Sequence, residues 1–136
     1  MAPEILLPQL LFVFGLGFFA ANVKVTADLL RFLAELKGVS GKEADRRIDE
    51  WLERLSLKSA EKDWGQAKVD ELSRGMQQKV QFIGTLLHDP ELVILDEPCS
   101  GDDPMNAQAL KDAVVDLRRR GRTVIFSTHV MENAER

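Results

Sequence analysis

Apolar residues recur at helical spacing over four stretches of the chain and run unbroken over two short ones. From residue 26, "TADLLRFLAELK" puts Leu29, Leu30, Leu33 and Leu36 on one helical face, with Thr26 as N-cap and Gly38 as the stop. Ser40 and Glu43 stand at capping-box spacing before a second helix, over about residues 42 to 56. Its apolar face is Ala44, Ile48, Trp51, Leu52 and Leu55, with charges elsewhere, so these two helices are expected to pack through their leucines. A polar connection containing Gly65 spans about residues 58 to 71. Ser73 then caps a third helix, over about residues 74 to 88, with Met76, Val80, Ile83 and Leu87 inward. Asp89-Pro90 ends it.

"ELVIL" and "TVIFS" have a different pattern. Each is short, apolar on both faces and bounded by turn residues, which predicts two buried parallel strands. Between them a fourth helix starts near Pro104, turns Leu110, Val114 and Leu117 inward, and closes at Gly121. Another is expected to begin near Val130. Strand, helix, strand in that order makes the two strands parallel, through a crossover that is right-handed in nearly all such units. Parallel strands share one carboxyl edge. Asp96, Glu97 and His129 all follow strand ends, so they emerge on the edge where α/β folds bind ligands.

That convergence suggests nucleotide chemistry. Asp96 is placed to hold Mg²⁺, a hard cation that needs one or two carboxylates plus phosphate oxygens. Glu97 can poise a water for in-line attack on a γ-phosphate, and His129 can hydrogen-bond that phosphate. A solvated acidic strand end would account for one acid, and less well for two after a buried strand. Ser73 and Gly75 begin a helix, whose free N–H groups and positive dipole end suit a phosphate; plain N-capping accounts for Ser73 equally and is compatible with it.

Bulk properties narrow the class. The chain has 136 residues and a net charge of −4, a globular composition with no excess of positive charge for nucleic acid. Arg118, Arg119, Arg120 and Arg122 read as a solvated helix end facing its own dipole. The single cysteine, Cys99, excludes an internal disulfide and fits a reducing compartment. One Cys and two His, His88 and His129, leave no zinc-ligand spacing. The start of the chain differs. "ILLPQLLFVFGLGFFAANV" carries no charge between Glu4 and Lys24, about the length that crosses a bilayer. Glu4, Pro8 and Gln9 make it a poor secretory signal. Three readings stay open for residues 1–23: a membrane anchor over residues 5–23, a buried or disordered apolar leader, or a stretch foreign to the fold from a truncated or misframed gene start.

The motifs resemble those of the ATP-binding cassette (ABC) transporter ATPases. "LSRGMQ" is similar to the family's LSGGQ signature, "LVILDEP" to Walker B with its catalytic Glu, "SGDDP" to the D-loop, and "STH" to the switch histidine, in the family's order and spacing. The resemblance covers about residues 24 to 136. It implies an α/β fold: the C-terminal part of a P-loop NTPase (RecA-like) core with parallel strands, residues 89–136, after the ABC α-helical subdomain, residues 24–88. It implies ATP and Mg²⁺ as ligands, with Asp96 on the metal, Glu97 as general base and His129 on the γ-phosphate. Ser73 and Gly75 would contact ATP held by the opposite cassette of a head-to-tail dimer, with Gln77 supporting that loop. Ser100 and Asp103 would couple the two sites. Membrane permease subunits would be the other partners, at the cytoplasmic face, and no nucleic acid is implied. The form of the signature resembles bacterial exporter-type cassettes. Arg74 replaces the first signature Gly, and Asp102 the usual D-loop Leu.

A phosphate-gripping loop needs G-x-x-x-x-G-K-[ST], and the sequence contains none. In "GVSGKEA" the position five before Gly41 is Leu36, and Glu43 follows the Lys. Walker A and the Q-loop are therefore expected to be missing, and the isolated chain to be inactive. Two rivals follow: a non-catalytic partner that donates its signature to another cassette, and a membrane-tethered half-cassette.

Overall fold

A computed structural model describes residues 25–96 and 104–127. Three helices, α1 (Thr26–Leu36), α2 (Gly41–Arg54) and α3 (Arg74–Leu86), precede a strand–helix–strand unit of β1 (Leu92–Asp96), α4 (Pro104–Arg119) and β2 (Thr123–Ser127). One core cluster joins the two parts, running from Leu30, Ile48 and Leu52 through Val80 and Ile83 to Val93, Leu110 and Leu117.

The buried arc of α1 is Thr26, Ala27, Leu29, Leu30 and Ala34. Leu36 was expected on that face but is 54% exposed. At 3.6 residues per turn it lies only about 20° from buried Leu29, so its exposure comes from its place as the last residue of the helix and not from its phase. Thr26 is not the N-cap either. Val25 takes that place with extended backbone. Thr26 is the first helical residue, buried, and both its N–H and its Oγ1 donate to the Ala67 carbonyl at 2.9 Å. Its hydroxyl ties α1 to a distant loop instead of closing the helix.

Ser40 does occupy the N-cap of α2, but its side chain makes no cap bond. Glu43 is drawn forward, accepting from Arg46 Nη2 and Arg47 Nε at 2.7 Å each. The Arg46 bond, then that of Arg47, lowers its pKa to about 2. Two nearby guanidinium groups thus outcompete one backbone N–H for the carboxylate. The inward face of α2 is as expected: Ala44, Ile48, Leu52 and Leu55 are buried and Trp51 is half-buried.

Helices α1, α2 and α4 end in the same left-handed turn. Gly38 and Gly121 supply the positive φ after α1 and α4, at 82° and 81°, and Ser56, at 59°, does so after α2. In each, the next N–H reaches five residues back: Val39 to Ala34, Arg122 to Leu117, and Leu57 to Leu52. Asp89 leaves α3 at φ 52°, not through the extended backbone expected before Pro90.

The connection after α2 contains two 3₁₀ turns, Trp64–Gln66 and Val69–Glu71. Gly65 lies buried in the first. A Cβ there would stand 2.8 Å from Leu52 Cδ1 and 2.9 Å from Asp63 Oδ1. Leu52 is itself buried and cannot retreat freely. Gly65→Ala should therefore destabilise the chain by about 1–3 kcal/mol, read from a urea midpoint. An unchanged midpoint would show that Leu52 yields at no cost.

Strands β1 and β2 are parallel, with Val93 opposite Val124, Leu95 opposite Phe126 and Asp96 opposite Ser127. Val93 and Leu95 are buried, and Val124 and Phe126 pack against the same core. The other face is only partly covered among the described residues, with Leu92 and Ile94 half-buried. Ile125 is 54% exposed, so β2 is half-covered rather than the buried strand its sequence suggests.

Candidate functional site

Four of the predicted site residues fall in the described structure, in two groups. Ser73, Gly75 and Gln77 form the start of α3. Ser73 is the N-cap, and its Oγ accepts the Met76 N–H at 3.2 Å. Ser73 and Arg74 are exposed and Gly75 is half-buried. Leu72, just before the cap, is buried and anchors the turn. Gln77 braces the approach to the helix: its Nε2 donates to the carbonyls of Val69 at 3.1 Å and Leu72 at 3.3 Å. The helix start is thus held from behind by an amide and open in front, at the end where its dipole favours an anion.

Asp96 forms the second group, exposed at the carboxyl end of β1. Ser127, opposite it at the end of β2, donates its hydroxyl to Asp96 Oδ1. Both are hard oxygen donors at strand ends. That donor set fits Mg²⁺, which takes oxygen ligands and leaves most of its shell to water and phosphate. Asp96 would hold the ion there. Glu97, Ser100, Asp103 and His129 lie outside the described residues, as does the apolar segment 5–23. Among the described residues no helix is long and apolar enough to cross a membrane.

Three features of the surroundings have no local sequence signal. Lys79 in α3 is buried, and its ammonium donates to the Leu55 carbonyl at the end of α2 at 2.7 Å. Arg47 in α2 returns the arrangement, donating to the Leu87 carbonyl at the end of α3 at 2.8 Å. Each helix closes the other's C-terminus. The arginine run also departs from its expected role. Arg118 and Arg119 are exposed, but Arg120 and Arg122 bind the Asp89 carboxylate at 3.1 and 2.5 Å, and Asp116 accepts Arg54 of α2 at 2.9 Å. These pairs tie α2, α4 and the turn before β1 together at the surface, where each ion pair contributes modestly.

A family model described as "ABC transporter" matches residues 14–100, beginning inside the uncharged segment that precedes Lys24. The chain is 49% identical over 108 residues to the ABC transporter ATP-binding protein YhaQ of Bacillus subtilis, covering 79% of this chain and 35% of that one. It is 51% identical over 67 residues to the fluoroquinolones export ATP-binding protein Rv2688c of Mycobacterium tuberculosis, covering 49% and 22%. Among solved structures it resembles an ATP binding subunit of an ABC transporter, with TM-score 0.69, 32% identity, and 82% of this chain against 45% of that one. It also resembles the dimeric bacterial ABC transporter cassette MJ0796, with TM-score 0.61, 27% identity, and 71% against 40%. The chain spans about a third of the length of YhaQ. The signature-like helix start, the Walker B-like strand and these matches agree: the chain belongs to the ABC transporter family, among its ATP-binding cassettes.

Proposed function

We propose that the chain supplies the helical subdomain, residues 24–88, and the second part of the RecA-like core, residues 89–136, of a cassette that powers transmembrane transport by binding and hydrolysing ATP. The carrying observation is the Asp96 carboxylate at the shared carboxyl edge of two parallel strands, in a chain whose signature-like helix start is braced and exposed. In this reading Asp96 holds Mg²⁺, whose charge offsets that of the phosphates. Glu97 is the general base and His129 contacts the γ-phosphate. Ser73 and Gly75 face the ATP of a second cassette, Gln77 keeps their loop in place, and Ser100 and Asp103 couple the two sites. Permease subunits at the cytoplasmic face are the other partners. The export function named for Rv2688c and the form of the signature support an exporter.

Without G-x-x-x-x-G-K-[ST], the isolated chain should not turn over ATP measurably. Mixed with a polypeptide that supplies that loop and the strands before it, it should show Mg²⁺-dependent hydrolysis that Glu97→Gln abolishes. Hydrolysis by the chain alone, lost in Glu97→Gln, would overturn the inactivity. Absence of hydrolysis in every combination would overturn the catalytic role.

The exposed Ser73 end favours a second reading, a non-catalytic partner that donates its signature to a complete cassette. Co-purification with such a cassette, and a gain in its ATPase rate that Ser73→Arg removes, would select this reading.

A further inference from the structure

The contact between Ser127 and Asp96 joins the ends of two strands that are 31 residues apart in sequence. It follows from the register. In a parallel ladder, residues in register project to the same side of the sheet, and the alternation along each strand fixes which side that is. Asp96 shares its side with Leu92 and Ile94, and Ser127 with Thr123 and Ile125, the face that the described residues cover only in part. The bond lies in solvent and contributes little to stability, because water competes for both groups.

Its effect is on orientation. A free aspartate at a strand end turns about two side-chain torsions, and its carboxylate plane is unconstrained. A hydroxyl fixed on the neighbouring strand and donating to Oδ1 sets that plane and leaves the other carboxylate oxygen to face a ligand. Residues that hold a metal-binding carboxylate in this way typically change affinity by about 10–100-fold when removed. We infer that Ser127 is a positioning residue for Asp96: its hydroxyl, donated across the strand pair, orients the carboxylate for a divalent cation. The inference rests on the reading of Asp96 as the carboxylate that holds the ion.

The test is a Mn²⁺ titration of the full chain followed by NMR, with paramagnetic broadening of the Leu95 and Asp96 amide signals as the readout. Wild type should broaden there first, and Asp96→Asn should lose the effect. Ser127→Ala should need about tenfold more Mn²⁺ for half-broadening. Ser127→Thr keeps the donor and should stay near wild type, which separates orientation from loss of fold. No selective broadening in wild type would overturn the metal role of Asp96 and this inference with it. Equal titrations for wild type and Ser127→Ala would overturn the positioning role alone. A Ser127→Thr variant as weak as Ser127→Ala would show that the donated hydrogen bond is not what orients the carboxylate.

Discussion

Replacing Ile83 by alanine should remove about 2–5 kcal/mol of stability, the cost of deleting a large side chain from a site that cannot collapse. Ile83 is 0% exposed, in the C-terminal half of α3 and in the cluster that joins the helices to the sheet. A domain of this size is typically stable by only about 5–15 kcal/mol, so the loss is a large fraction of the whole. Chemical denaturation of the two proteins measures it. A shift below about 1 kcal/mol would mean that neighbouring side chains refill the space, against the close packing implied by the burial of Leu30, Leu55 and Leu87. The effect should reach the candidate site, because the same helix is capped by Ser73 and carries Gln77 near its start.

Lys79→Met should cost about 1–3 kcal/mol, although it replaces a charge in the core with an apolar chain of similar length. Lys79 is 6% exposed and its ammonium bonds the Leu55 carbonyl at the end of α2. Methionine would keep the stem's packing and leave that carbonyl without this donor. The lost cation also lay at the negative end of a helix dipole. Arg47→Met, at the half-buried counterpart on Leu87, should cost less, because water can reach more of that site. Thermal unfolding of both variants gives the order. A more stable Lys79→Met protein would show that desolvating the ammonium outweighs its bond, as it does for some buried charges.

The elements themselves were legible because they depend on local periodicity. Four helices and two strands lie where the apolar spacing places them, and Ser73 caps α3 as its sequence predicts. Errors arose where a side chain had a competing partner. Ser40 and Glu43 have the spacing of a capping box, but Arg46 and Arg47 take the carboxylate. Thr26 has the chemistry of a cap and bonds a carbonyl 41 residues away. β2 reads as buried because Val124, Ile125 and Phe126 are all apolar, yet coverage depends on neighbouring elements and not on the strand. The site was half legible. Motif order located Asp96 and Ser73, whereas Ser127's contact with Asp96 required the strand register.

The reciprocal closure of α2 and α3 also affects the order in which the chain assembles during synthesis. Lys79 and Leu55 are 24 residues apart, and Arg47 and Leu87 are 40 apart, all within the first described segment. By the time Leu87 has left the ribosome, every partner in both caps has emerged and the three-helix unit can close. The pairing of β1 with β2 must wait for Thr123–Ser127, across a crossover whose loop entropy is lost before any bond of that ladder forms. The helical contacts, with the signature-like turn braced by Gln77, can therefore form while the strand carrying Asp96 still waits for β2. Over that interval the edge of β1 that receives β2 is the part that a chaperone would have to shield.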